Sequence, residues 1–195
     1  ALAAVVGLVY FPGLGGDFIF DDFANIVFNP AVHAESLSWE NIVRAAGAYD
    51  GPIGRPLATI GFAFDYAIGG QSPFPFKVHN LVIHAINAGL VLALVGRLFG
   101  RSGTSSPGWP GWGVLAIALA WAVHPIQVSS VLYVVQRMEM LATLFVLAGL
   151  IFYTVGRQRQ IQGNGASPYI TLAWLVPLAG LLAKENAILY PLYYL

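Results

Sequence analysis

Long apolar stretches, separated by shorter polar segments, dominate this chain of 195 residues. A helix needs about 20 apolar residues to cross a membrane. Four internal stretches approach that length, at residues 78–99, 109–123, 138–155 and 168–183. Shorter stretches stand at the ends, and we interpret residues 1–11 as the end of a first span and residues 187–195 as the start of a sixth. The pattern predicts an all-α fold, a polytopic membrane helix bundle that forms one membrane domain.

The longest interruption, residues 12–77, is predicted to be a long loop that contains amphipathic helices. Ser36 or Ser38 is placed to cap a helix over residues 38–48. The apolar side chains of this helix recur at helical spacing: Trp39, Ile42, Val43 and Ala46. This arrangement is typical of a helix that lies on a membrane surface. Residues 57–68 are more apolar, and we expect them to lie at the interface or to re-enter the membrane.

Basic residues predict how the chain is oriented in the membrane. The loops at residues 100–111 and 156–168 contain arginines and no acid, and the positive-inside rule places such loops in the cytoplasm. Three segments then lie outside: residues 12–77, 124–137 and 184–186. All the acids except Glu139 fall in the first and last of these three segments. The outer face is therefore where we expect the polar chemistry.

Composition supports a membrane protein and narrows its partners. The chain is 57% hydrophobic and 9% charged, with a mean hydropathy of +0.71, whereas soluble domains carry roughly 25% charged residues. Net charge is zero and no basic tract is present, which argues against a nucleic-acid partner. There is no cysteine and no metal-binding motif, so we expect no metal site. Both ends lie within apolar runs, which predicts that the chain is a fragment of a longer protein.

Adjacent acids, Asp21 and Asp22, are the leading candidates for catalysis. They follow the first apolar run by about ten residues, close to the predicted outer membrane surface. A carboxylate that is partly removed from water can have a raised pKa and act as a general base. The alternative is structural, with the pair closing a turn after the aromatic run at residues 18–23.

Three cations stand at or near the ends of predicted spans on the same side: Arg55, Arg137 and Lys184. Ionisable residues at membrane depth are costly and usually face a partner or a cavity. A guanidinium suits a phosphate through paired donors, and an ammonium acts as a point charge. The alternatives are that these side chains reach back to the interface or pair with a local acid, as Lys184 would with Glu185.

Polar side chains also occur inside the predicted spans. His84 and Asn87 are one helical turn apart and are predicted to hydrogen-bond a neighbouring helix. His79 and Asn80 lie near the outer end of the same span, where a lipid head group is a possible partner. His124 precedes a proline, and it either caps the end of the third span or faces the site.

Five segments of the chain carry a recognisable pattern by their order: residues 17–30 (DFIFDDFANIVFNP), 55–57 (RPL), 75–84 (PFKVHNLVIH), 124–141 (HPIQVSSVLYVVQRMEML) and 182–187 (LAKENA). This order resembles the membrane domain of bacterial TMTC-like protein O-mannosyltransferases, within the GT-C glycosyltransferase superfamily. The resemblance covers almost the whole chain. Family members have many more spans, usually followed by tetratricopeptide repeats, which this chain does not contain.

The resemblance implies a lipid-phosphate-sugar-dependent glycosyltransferase that works on the extracytoplasmic side. The donor would be a polyprenyl-phosphate sugar, with no further cofactor. Asp21 or Asp22 would be the base, and the donor phosphate would be held by Arg137 and Lys184, with Arg55 less firmly assigned. The implied supporting residues are Glu185, His124, Gln136 and Glu139.

The implied partners are membrane lipid, the polyprenyl-linked sugar, and a protein acceptor or a larger membrane complex. The implied location is a bacterial inner membrane, with residues 12–77 outside. An alternative is a non-catalytic accessory subunit that packs its apolar and aromatic spans against a larger membrane complex. A transporter or lipid channel is a third possibility, but the inverted repeat typical of transporters is not visible.

Overall fold

A computed structural model describes residues 1–51, 53–99 and 110–194. Within these ranges the chain is helical and contains no strand, which confirms the all-α prediction. The α-helices are α1 (Leu2–Tyr10), α2 (Trp39–Ala46), α3 (Pro56–Gly69), α4 (Pro73–Phe99), α5 (Gly111–Ala122), α6 (Gln127–Leu132), α7 (Arg137–Ile161) and α8 (Ser167–Gly180). Short 3₁₀ and π turns connect several of them.

Two segments of the described chain are long and apolar enough to cross a membrane, α4 and residues Val134–Ile161. The 27 residues of α4 extend about 40 Å at 1.5 Å per residue. α5 and α8 are shorter, with 12 and 14 residues. That the helices form a polytopic membrane bundle stays a prediction. Arg101, the start of the predicted third span at Trp109, and Leu195 lie outside the described residues.

Small residues allow α7 and α8 to pack closely. A Cβ on Gly149 would lie 2.3 Å from Pro177 Cγ, and one on Gly156 would lie 2.5 Å from Ile170 Cδ1. Interfaces between membrane helices favour such small residues because the backbones can then approach one another. The chain after α8 forms a 3₁₀ helix, Glu185–Tyr194, that packs back against both helices.

Polar side chains within α4 join it to its neighbours. His84 Nε2 lies 2.8 Å from the Ala122 carbonyl oxygen at the end of α5. Asn87 donates from Nδ2 to the Met140 carbonyl oxygen of α7 over 2.9 Å. The predicted cross-helix hydrogen bonds of His84 and Asn87 are therefore confirmed.

Residues 12–51 and 53–72 fold into a cap over the N-terminal ends of α4 and α7. The cap and the two helices share a core cluster: Phe18, Ile26, Val32, Ala58, Phe62, Phe76, Val134 and Met138. Ser38 accepts a hydrogen bond from the Asn41 N–H and caps α2, which decides between the two predicted caps, Ser36 and Ser38. Two apolar side chains of α2, Trp39 and Val43, remain exposed. The cap brings the predicted acids and cations to one end of the helices.

Candidate functional site

Asp22 is fully buried and works as a structural clamp. Its Oδ1 accepts a hydrogen bond from the Val135 N–H over 2.8 Å. Its Oδ2 accepts from the N–H groups of Ile19 at 3.1 Å and Val134 at 3.4 Å. The carboxylate thereby holds the cap to the 3₁₀ turn, Val134–Gln136, that leads into α7. Both oxygens are occupied by backbone donors from this chain.

Burial raises the pKa of the Asp22 carboxyl above its ordinary value, and the backbone N–H donors and the charge of Lys77 only partly offset this effect. Lys77 is itself buried, and its Nζ donates to the carbonyl oxygens of Gly16 at 2.8 Å and Asp17 at 3.1 Å. An ammonium thus stands near Asp22 and ties down the segment that precedes the acid pair.

Asp21 has the opposite environment and is exposed to solvent. Its backbone N–H donates to the Tyr133 hydroxyl over 3.0 Å, and its carbonyl oxygen accepts from Asn25 Nδ2 over 2.8 Å. Burial raises the pKa of the Tyr133 hydroxyl, and the neighbouring Asp21 carboxylate raises it further, although the Asp21 N–H acts against both. The main chain of Asp21 is therefore fixed while its carboxylate stays accessible.

A strained residue shapes this acid turn, residues 19–22. Phe20 has a φ of +46°, in the left-handed region that residues other than glycine rarely occupy. Its side chain is 80% exposed, so core packing does not account for the conformation. Hydrogen bonds on both sides of Phe20 maintain it. Such strained residues concentrate at functional sites.

Two of the three predicted cations, Arg55 and Lys184, form ion pairs that are partly exposed. Arg55 Nη2 lies 3.0 Å from Glu185 Oε2, and Lys184 Nζ lies 2.5 Å from Glu139 Oε1. Asn186 Nδ2 donates to the other oxygen of Glu139. The Glu185 N–H and the Arg55 guanidinium hold the pKa of Glu185 below its ordinary value. We call these five residues the paired-charge cluster.

The cluster draws three segments together but remains accessible. The side chain of Arg55 is 15% exposed and that of Lys184 is 27% exposed. The Arg55 guanidinium lies 4.1 Å from the centre of the Tyr49 ring and donates to the Met138 sulfur. Both cations are therefore partly exposed to solvent while each is paired with a carboxylate.

Arg137, the third predicted cation, is fully buried instead. Its Nε donates to Asn80 Oδ1 and its Nη2 donates to the Phe76 carbonyl oxygen, each over 2.9 Å. Nη2 also pairs with the buried carboxylate of Asp65, which contacts His79 Nδ1 at 3.1 Å through its other oxygen. Arg137 thus joins α3, α4 and α7 within the interior.

The sequence interpretation missed Asp65. An acid in the apolar segment at residues 57–68 was the signal available, because a buried carboxylate requires a partner. Tyr133 was also missed, and its role depends on a contact with Asp21, 112 positions away.

The first residues of α7 and the preceding turn connect these groups. Val134 and Val135 hold Asp22, Arg137 holds Asp65, and Glu139 pairs with Lys184. A cavity of about 380 Å³ is lined by Asn25, which supports Asp21, and by Tyr49, which supports Arg55.

His124 and Gln136 are part of neither the acid turn nor the paired-charge cluster. His124 is exposed, and its Nδ1 accepts from the Ile126 N–H within its own turn. Gln136 is half-buried at the end of the turn before α7. Among the described residues, no set of three or more His, Cys, Asp or Glu side chains is grouped to hold a metal ion.

The chain is helical, has membrane-length helices, and holds an exposed acid and two paired cations around the start of α7. The chain is similar to proteins named protein O-mannosyl-transferase. It is 30% identical to tmtc2 of Xenopus laevis over 161 residues, which are 78% of this chain and 18% of the relative. It is 30% identical to TMTC4 of Homo sapiens over 187 residues, 89% of this chain and 25% of the relative. For TMTC3 of Mus musculus the identity is 28% over 195 residues, 96% of this chain and 20% of the relative.

These similarities support a TMTC-like family for the chain. The chain spans about a fifth of the length of the curated relatives it matches. No family model matches it, and no solved structure matches it. Membership of a bacterial branch and of the GT-C superfamily stays a prediction.

Proposed function

We propose that this chain is the part of a membrane glycosyltransferase that supplies the catalytic base and two contacts to the donor phosphate. The donor is a polyprenyl-phosphate sugar, and transfer to a protein hydroxyl occurs on the extracytoplasmic side. The names of the relatives support glycosyl transfer in general. The observation that carries the proposal is the difference between the two acids, because Asp22 is clamped by backbone donors and Asp21 is fixed by its main chain with an accessible carboxylate.

Asp21 is the base in this mechanism. A general base must reach the proton that it removes, and the Asp22 carboxylate is buried and occupied by three N–H donors. The Asp21 carboxylate accepts the proton of the acceptor hydroxyl while the oxygen of that hydroxyl forms a bond to the anomeric carbon of the sugar. The bond between that carbon and the phosphate oxygen breaks, and the lipid phosphate leaves with the electron pair.

Arg55 and Lys184 stabilise the phosphate as it leaves. Positive charge aimed at developing negative charge is among the largest contributions to catalysis. Glu185 and Glu139 hold the two cations in place before the donor arrives, and the phosphate then shares the cations with these carboxylates. Arg137 is a positioning residue, since it fixes the start of α7 from the interior.

The test uses the full-length protein in nanodiscs with labelled polyprenyl-phosphate mannose, the sugar that the relatives' names indicate. We expect Asp21→Asn to reduce transfer by about 10²–10⁴-fold, the usual contribution of a general base. The melting temperature should not change, because the carboxylate of Asp21 is exposed. Transfer by Asp21→Asn at the wild-type rate would overturn the assignment. A folded wild-type protein that transfers no sugar from any donor would favour the accessory subunit.

A further inference from the structure

A second polar cavity lies among α4, α5, α6 and α7, and Glu139 is part of its lining. Its volume is about 240 Å³, the space of roughly eight water molecules at about 30 Å³ each. Its lining includes Asn87, Trp121, Gln127, Ser130, Glu139 and Thr143. Polar side chains at this depth in a predominantly apolar helix bundle call for a ligand or a structural reason.

The clearest sign of a ligand is an unpaired acceptor on Asn87. This side chain is 1% exposed, and its Nδ2 donates to the Met140 carbonyl oxygen. Its Oδ1 has no hydrogen-bond partner among the described residues. Buried polar atoms are nearly always hydrogen-bonded, so a donor from a bound molecule would complete this group.

His84 adds a second acceptor to the same lining. Its Nε2 contacts the Ala122 carbonyl oxygen, which can only accept, so in the neutral ring Nε2 carries the proton and Nδ1 is an acceptor. Glu139 contributes a carboxylate, but Lys184 already balances its charge. The cavity thus presents several acceptors without a net charge, which suits a neutral ligand rich in hydroxyl donors better than a cation.

Trp121 provides the apolar part of the lining and stacks on the His84 ring, with centroids 5.3 Å apart. A sugar ring has both properties that this lining matches, hydroxyl groups at its edge and an apolar C–H face. The volume suits a single ring rather than an oligosaccharide.

We propose that this cavity binds the sugar ring of the lipid-phosphate donor. The inference rests on the proposed function, because Glu139 borders the cavity and also pairs with Lys184, the proposed phosphate contact. A phosphate at Lys184 leaves the attached sugar next to Glu139. Asn87, Gln127 and Ser130 then become specificity-determining residues for the donor.

The experiment compares two lipids on the full-length protein in nanodiscs. The probes are a short-chain polyprenyl-phosphate mannose and the same polyprenyl phosphate without the sugar. The variant combines Gln127→Met with Ser130→Ala, both on the cavity wall. Its matched control combines Gln162→Met with Ser129→Ala. Gln162 is an exposed residue after α7, and Ser129 donates to the Ile126 carbonyl oxygen of its own turn.

We expect the cavity variant to weaken binding of the sugar-bearing lipid about tenfold, as the loss of two ordinary hydrogen bonds implies. Binding of the sugar-free lipid should stay within about twofold, and the control variant should bind both lipids as the wild type does. Equal weakening for the two lipids would overturn the proposal, since the cavity would then recognise the lipid. Unchanged binding of both lipids would also overturn it and would leave water as the occupant.

The same samples separate this inference from the proposed function. If the cavity variant weakens binding of the sugar-bearing lipid alone, but the wild-type protein transfers no sugar, the sugar-binding cavity would be supported and the proposed glycosyltransferase function contradicted. If Asp21→Asn abolishes sugar transfer and the cavity variant binds both lipids as the wild type does, the proposed glycosyltransferase function would be supported and the sugar-binding cavity contradicted.

Discussion

Asp21 and Asp22 are adjacent in the sequence but have different environments. The side chain of Asp22 accepts from backbone groups 112 and 113 positions away, while that of Asp21 points to solvent beside Tyr133. The sequence pointed to the pair but could not separate its members, because the difference depends on contacts distant along the chain. The structural-turn interpretation therefore applies to Asp22, and the catalytic interpretation stays a prediction for Asp21.

Asp22 should make stability depend on pH. Burial raises the pKa of its carboxyl above the ordinary value of 3.8. The folded state therefore binds this proton more tightly than the unfolded state, so Asp22 favours folding below pH 3.8 and loses this contribution as pH rises through the raised pKa. We expect Asp22→Asn to remove that part of the pH dependence in thermal unfolding. Asp50→Asn, at an exposed residue, is the control. Parallel profiles for wild type and Asp22→Asn would contradict this expectation.

Phe20 offers a test of backbone strain. Glycine adopts a φ of +46° without steric cost, and the exposed Phe20 ring contributes little burial. We expect Phe20→Gly to leave the free energy of unfolding unchanged or to raise it by up to about 1 kcal/mol. Phe23→Gly, at a partly exposed neighbour with negative φ, should lower it by about 1 kcal/mol. Chemical denaturation measures both, and a larger loss for Phe20→Gly would show that its conformation carries no strain.

The start of α7 is the element on which the site depends. The Val135 N–H, just before α7, donates to the Asp22 carboxylate of the cap, and Glu139 of α7 pairs with Lys184 from the segment after α8. Arg137 of α7 donates to Asn80 in the interior and fixes the start of the helix. The sequence predicted a span at this position and named Arg137, but it assigned the arginine to the donor phosphate. The buried partner, Asp65, is on α3, and its pairing with Arg137 could be found only from the packing of α3 against α4 and α7.

Breaking the Arg137–Asp65 pair should be costly, whereas replacing both residues should not. Arg137→Met leaves the Asp65 carboxylate buried without its cation, and we expect a loss of about 3–5 kcal/mol in the free energy of unfolding. Asp65→Leu combined with Arg137→Met should recover most of this loss. Arg97→Met, at an exposed site on α4, is the control. Equal losses for the single and double variants would show that the pair is not the source of the effect.

For the molecule as a whole, local patterns foretold more of the fold than of the site. The Ser38 cap and the cross-helix bonds of His84 and Asn87 follow from spacing along one helix. The paired-charge cluster instead joins three segments that are far apart in the sequence, and only the packed structure shows which acid meets which cation. The helices form the framework, and contacts at the start of α7 bring the candidate site residues together.

The most direct measurement compares Asp21→Asn and Asp22→Asn for both transfer rate and thermal unfolding, in the same nanodisc samples of full-length protein. We predict that Asp21→Asn loses transfer and keeps the wild-type melting temperature. We predict that Asp22→Asn lowers the melting temperature, because the hydrogen bonds of this side chain to Val134 and Val135 are weakened. The reverse result, with transfer lost only in a well-folded Asp22→Asn and full transfer by Asp21→Asn, would contradict the assignment of Asp21 as the base.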